Sequence, residues 1–235
     1  QIEDFVDISY PIDTVVVVLS DKVDFEKIKK IDKRIVFSLP PVLFENEAKN
    51  IQKIVTALFK EGYRDFEANS FTGVEILSEF DCHKYLGYEF GLLNDIASDF
   101  FYNNGFLSVY PSIESDLSVF KSISSFNKGK VDCLMFCKPI LFYSRVKEDF
   151  FKKNSLFSDK YTEISCVSEN GINLFVSGKI FSLIGEKYKK EKIKFDNLTA
   201  DLRYFENSKK ILKDIFDDKV DLSKTTDFNI SRKLR

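Results

Sequence analysis

The sequence predicts an α/β protein, specifically a (β/α) TIM-like barrel, incomplete or distorted, with a β-hairpin inserted near residues 162–177. Three observations lead there. Short apolar runs alternate with amphipathic segments along most of the chain, proline and glycine mark many of their ends, and the alternation breaks after Pro139. Repeated strand–helix units imply parallel pairing, because each crossover returns the chain in the same direction.

Val15–Leu19 reads as a buried strand, and Phe25–Ile28 as a short helix behind it. Arg34–Leu39 is the next strand, stopped by Pro40-Pro41. Ile51, Ile54, Val55, Leu58 and Phe59 follow i, i+3, i+4, i+7, i+8, a helix that Gly62 terminates. Asp65–Ala68 is a strand, Gly73–Phe80 a helix and His83–Glu89 a strand. Asn94 is placed to cap a helix carrying Ile96, Phe100 and Phe101. Phe106–Tyr110 is a strand, followed after Pro111-Ser112 by a helix carrying Leu117, Phe120 and Ile123, and Val131–Cys137 is the sixth strand. Thr162–Val167 and Ile172–Ser177, joined by Ser168-Glu169-Asn170-Gly171, form the hairpin, since Asn-Gly suits a tight turn. Leu198–Tyr204 is the last strand, and Ile211, Leu212, Ile215 and Phe216 mark the last helix. The expected organisation is one domain over residues 1–221 and a loose polar tail over 222–235.

Composition narrows the function. Among 235 residues, 35 basic and 37 acidic side chains nearly balance, which argues against a polybasic nucleic-acid domain. The longest apolar runs are five or six residues, far short of the roughly 20 a spanning helix needs, so no membrane association is expected. The single histidine, His83, lies at a strand's beginning, the wrong end for a barrel active site. Cys82, Cys133, Cys137 and Cys166 are scattered, as in a reduced cytoplasmic protein. Cys133 and Cys137 sit about 13 Å apart on a strand, too far to share one metal ion without breaking it. No metal site is expected. The Lys187–Lys192 run reads as a solvated helix face, with phosphate contact the alternative. Residue 1 is Gln, which suggests a domain cut from a longer protein.

In a (β/α) barrel the chemistry sits at the carboxyl ends of the strands. Those positions hold Glu67, Asn69 and Ser70; Glu89; Tyr110, Ser112 and Glu114; Lys138, Tyr143 and Arg145; and Arg203 and Glu206. The catalytic candidates are Glu67, Glu114 and Arg145, carboxylates and a planar cation suited to acid–base work on an anionic ligand. The ligand-binding candidates are Asn69, Asn94, Ser112, Tyr143, Arg203 and Glu206. The competing reading makes these residues strand-end ion pairs and helix caps. Ser112 with Glu114 and Asp116 has the form of a helix start, a capping serine with acids in the first turn.

Three stretches carry a family resemblance: Leu93-Asn94 before a helix and Gly105, Tyr110-Pro111-Ser112-Ile113-Glu114, and Cys137-Lys138-Pro139-Ile140-Leu141-Phe142-Tyr143-Ser144-Arg145. From about Val15 to Phe216 the chain resembles the C-terminal barrel region of long members of the collagenase-like (U-thirty-two) peptidase family. Departures include Val146 in place of a cysteine, Ala97 in place of an asparagine and Ser168-Glu169 in place of Asp-Arg. The spaced cysteines that ligate the family's iron–sulfur cluster are missing. The resemblance implies a domain that supports substrate binding in oxygen-independent hydroxylation of tRNA or rRNA. The cluster would belong to an N-terminal part of the same protein, the expected partner, and this chain would hold no cofactor. The alternatives are a peptidase domain acting on peptide chains and a non-catalytic partner-binding barrel.

Overall fold

A computed structural model describes residues 10–125, 128–146, 156–158, 163–169, 171–184 and 193–228. The described residues divide into two compact units, 10–125, 128–133 and 193–198 in the first and 134–146, 156–158, 163–169, 171–184 and 199–228 in the second. The protein is α/β.

The first unit is built on parallel strands β1 (Thr14–Val18), β2 (Arg34–Ser38), β3 (Asp65–Ala68), β4 (His83–Leu86), β5 (Phe106–Val109) and the start of β6 (Lys130–Cys137). Their order in the sheet is their order in the chain. Right-handed crossovers between successive neighbours put the connecting helices on one face of such a sheet. Those helices are α1 (Phe25–Ile28), α2 (Glu45–Lys60), α3 (Phe71–Ser78), α4 (Asp95–Asn103) and α5 (Leu117–Ser124). The core between the layers is filled by Phe37, Phe66, Leu39, Leu86 and Val109 from the sheet side and Val55, Leu58, Leu77, Phe101 and Ile123 from the helices.

Local chemistry sets the helix ends. Glu47 accepts the Phe44 N–H (2.9 Å) at the start of α2, and Gly62 follows its end at φ +98°, a conformation that favours glycine. Asn94 caps α4 as expected, its side chain accepting the Ala97 N–H at 2.8 Å. The predicted Gly73–Phe80 helix instead runs Phe71–Ser78, because Ser70 accepts the Gly73 N–H and caps it two residues earlier. The predicted strand His83–Glu89 ends at Leu86, and Tyr88–Phe90 forms a 3-10 turn closed by Gly91 at φ +75°. Ser112 does not cap the helix after β5. Asp116 does, accepting the Ser118 and Val119 N–H groups at 2.8 and 3.1 Å, so α5 starts at Leu117.

The second unit holds the remainder of β6 and a four-stranded antiparallel sheet in the order β7-β10-β9-β8. Its strands are β7 (Ile140–Ser144), β8 (Leu156–Ser158), β9 (Glu163–Glu169) and β10 (Ile172–Ser177). The predicted hairpin is β9–β10. Ile172 pairs with Glu169, leaving a two-residue connection in which Gly171 has φ +74°. The flanking β7 and β8 are absent from the sequence reading, as is β11 (Ile180–Ser182), which pairs antiparallel with β6. The predicted last strand is β12 (Asn197–Ala200), shorter than expected. The Asp196 N–H donates to Val131 C=O and the Asp201 N–H to Phe136 C=O, both at 2.8 Å, so β12 runs parallel to β6. The last predicted helix is α6 (Ser208–Phe216), capped by Asn207 accepting the Lys210 N–H. In the segment read as a loose tail, Leu222–Lys224 makes a 3-10 turn and β13 (Thr225–Thr226) pairs with β11. The Lys187–Lys192 run lies outside the described residues.

Candidate functional site

At the carboxyl ends of β2, β3 and β4, three polar side chains converge in the first unit. Glu67 and Asn69 are two residues apart, so the strand's alternation directs both to one side. Register pairs Ser38 with Glu67. All three residues are buried. The Ser38 hydroxyl donates to Glu67 Oε1 at 2.7 Å. The Asn69 amide donates to Ser38 Oγ (2.8 Å) and to the Leu39 carbonyl (3.0 Å), with Glu67 Oε1 at 3.3 Å. Its oxygen accepts the Glu89 N–H at 3.2 Å.

Gly87 closes this cluster. A Cβ there would lie 2.7 Å from Glu67 Oε1 and far inside van der Waals contact of Asn69 Oδ1. Its φ of −78° is open to any residue, so the requirement for glycine is one of space. Asn69 thereby ties the loop after β4, where Glu89 sits half-buried, to the strand end that carries Glu67.

The neighbouring strand end is β5. Tyr110 is buried, with the Tyr88 ring edge-on at 6.4 Å between centroids. The Ser112 N–H donates to the Leu92 carbonyl (2.8 Å), and Ser112 Oγ accepts the Glu114 N–H (3.2 Å). Glu114 is exposed, and the buried Ser115 Oγ has no hydrogen-bond partner among the described residues. Asn94 is occupied as the cap of α4, and Ser70 as the cap of α3.

The other predicted residues belong to the second unit. Lys138 Nζ lies 5.0 Å from the centre of the Phe205 ring, Tyr143 is half-buried on β7, and Arg145 and Glu206 are exposed. Arg203 forks onto Asp201, with contacts of 2.7 to 3.1 Å. The structure therefore brings Glu67 and Asn69 together and supplies Ser38 and Gly87, which the sequence reading missed. Ser38 was visible only as a small polar residue at a strand end before Pro40-Pro41. Gly87 was visible only as a loop glycine.

A second cluster, at the amino ends of the strands, also escaped the sequence reading. Arg34 donates to Asp65 Oδ1 (2.6 Å) and contacts the Tyr85 hydroxyl. Tyr85 donates to Asp65 Oδ1 at 2.8 Å, and His83 Nδ1 lies 3.2 Å from the same oxygen. Burial opposes ionisation of Asp65, but the bonds from Arg34 and Tyr85 outweigh it and hold its carboxyl below the usual range. Burial, then Asp65, push the Tyr85 hydroxyl up to about 12. His83 serves this ion pair.

The cysteine donors do not fit an iron–sulfur cluster. None of the four cysteines is in a disulfide. Cys133 and Cys137 are buried along one strand, and burial pushes the Cys133 thiol up to about 12, away from the thiolate that ligation requires. Among the described residues no three His, Cys, Asp or Glu side chains are grouped to hold a metal ion. Nor is any described helix long and apolar enough to cross a membrane.

Fold and site together define an α/β protein with a buried polar cluster at the carboxyl ends of a sequentially ordered parallel sheet. The chain matches no family model, no curated protein and no solved structure.

Proposed function

We propose that the chain is a substrate-supporting domain for oxygen-independent hydroxylation of RNA, either tRNA or rRNA. The chemistry would be carried out by an iron–sulfur-bearing N-terminal part of the same protein. This reading takes the sequential sheet as an incomplete TIM-like barrel of the collagenase-like peptidase family, and the four cysteines outside any disulfide as those of a cytoplasmic protein. The observation that carries it is the convergence of Ser38, Glu67 and Asn69 around Gly87, because ligands of parallel α/β sheets bind at the carboxyl ends of the strands.

In this reading, within the first unit, Asn69 orients the loop bearing Glu89, Glu67 supplies a buried acceptor, and Glu114, Asn94 and Ser112 are further candidate contacts. The second unit, taken by itself, carries the planar cation of Arg145, suited to phosphate, with Tyr143 and Glu206 as its candidate contacts. The peptidase alternative lacks support from the only histidine, whose ring is held against Asp65 at the amino end of β4.

The test measures hydroxylated nucleosides by mass spectrometry in RNA from cells carrying Glu67→Gln or Arg145→Ala in the full-length protein. Binding of tRNA and rRNA fragments to the chain is measured alongside. A loss of about tenfold or more in either readout, with unchanged protein abundance, supports the reading. Unchanged modification together with no RNA binding would overturn it.

A further inference from the structure

Asp132, in the part of β6 that belongs to the first unit, is a buried carboxyl, 5% exposed, and belongs to neither cluster described above. Asn197, 65 residues further along the chain, donates its side-chain amide to Asp132 Oδ1 at 2.6 Å. The preceding residue, Asp196, grips β6 at two points. Its N–H donates to the Val131 carbonyl and its Oδ2 accepts the Val131 N–H, both at 2.8 Å. Two consecutive residues of the returning segment thus fasten it to two consecutive residues of the strand.

The groups around the Asp132 carboxyl come from four elements. On its own strand stand the exposed Lys130 and the Cys133 thiol, which burial and Asp132 keep protonated. Asp196 approaches from the returning segment, a second carboxylate. Tyr102 comes from α4, its hydroxyl donating to the Lys130 carbonyl at 2.8 Å. Ser108 of β5 is buried and lies beside the carboxyl. Among the described residues no cation pairs with Asp132, and Lys130 acts on it only from a distance. A buried carboxylate without a cation costs free energy that the neutral acid avoids. Burial, outweighing the bonds from Ser108 and Asn197, accordingly holds this carboxyl above the ordinary range.

We propose that Asp132 is a proton-operated fastener: its neutral carboxyl holds residues 196–198 on β6, and its ionisation loosens that hold. The fastened state takes up the proton more readily than the released one. The hold is therefore full below about pH 4, the ordinary aspartate value, and weakens as pH rises through the higher value of the fastened state. Asp65, which Arg34 and Tyr85 hold below the usual range, acts in the opposite direction. The fastener stands apart from the RNA reading, which uses none of these residues.

The experiment is hydrogen exchange on the 235-residue chain between about pH 4 and 7, corrected for the intrinsic exchange rate at each pH. Protection of the Val131 and Asp196 amides should fall by about threefold or more across that range. Asp132→Asn keeps an oxygen for Asn197 but cannot ionise. It should hold the protection constant and exceed the wild-type chain at the upper end. A second measurement needs no variant: the Asp132 carboxyl carbon, followed by NMR in the wild-type chain, should titrate above the ordinary aspartate value. Protection that does not fall, a fall that persists in Asp132→Asn, or an Asp132 carboxyl titrating at or below the ordinary value would overturn the proposal.

Discussion

At the scale of single residues, hydrogen-bond demand explains most of what the candidate site does. The Asn69 amide and oxygen serve two strands and a loop, so truncating it removes one hydrogen bond each from Ser38 Oγ, the Leu39 carbonyl and the Glu89 N–H. Asn69→Ala is expected to destabilise the chain by about 1–3 kcal/mol, measured by urea denaturation. Gly87→Ala should cost at least as much, since the added carbon enters the space of Asn69 Oδ1. A smaller loss for Gly87→Ala would show that the cluster can move aside. Asp65 governs a pH effect. Its carboxyl titrates lower when folded than when unfolded, so its contribution is complete above about pH 4, the unfolded value, and is lost as pH falls through the folded value. Asp65→Asn should flatten stability against pH in that acid window and leave the slope near neutrality unchanged.

At the scale of elements, caps and turns decide where each segment starts and stops. Asp116, not Ser112, satisfies the first amides of α5. Asp116→Ala should therefore cost about 1 kcal/mol of stability, as cap removal typically does, whereas Ser112→Ala should leave α5 intact by helix-resolved hydrogen exchange. The error in reading Ser112 as the cap has a physical origin. Both residues are followed by amides they can bond, and Ser112 does bond the Glu114 N–H, but its own N–H is held by Leu92 and the chain turns there first. By contrast, α2 and α4 were legible because their apolar spacing and their flanking Gly62 and Asn94 act within a few residues. The strands β7, β8 and β11 were not. Each has five residues or fewer, and pairing partners outside the local sequence create them.

At the scale of the whole molecule, burial sets reactivity. Cys133, Cys137 and Cys166 are buried and Cys82 is half-buried, none of them in a disulfide. A disulfide-forming reagent applied to the native chain should titrate one thiol slowly, Cys82, whose burial raises its thiol above the ordinary range. After denaturation it should titrate four. Rapid native labelling of two or more would contradict the described core.

The alternation of apolar strands and amphipathic helices sufficed for the α/β class, for the run of units from β1 to α5 and for the β9–β10 hairpin, because those signals repeat within a turn or a pleat. It also marked Glu67 and Asn69, which lie two residues apart at the end of β3. The partnership of those two with Ser38 and Gly87 and the Arg34–Asp65–Tyr85 cluster depend on which strands become neighbours. Those are properties of packing between segments distant in the chain, and no local periodicity encodes them.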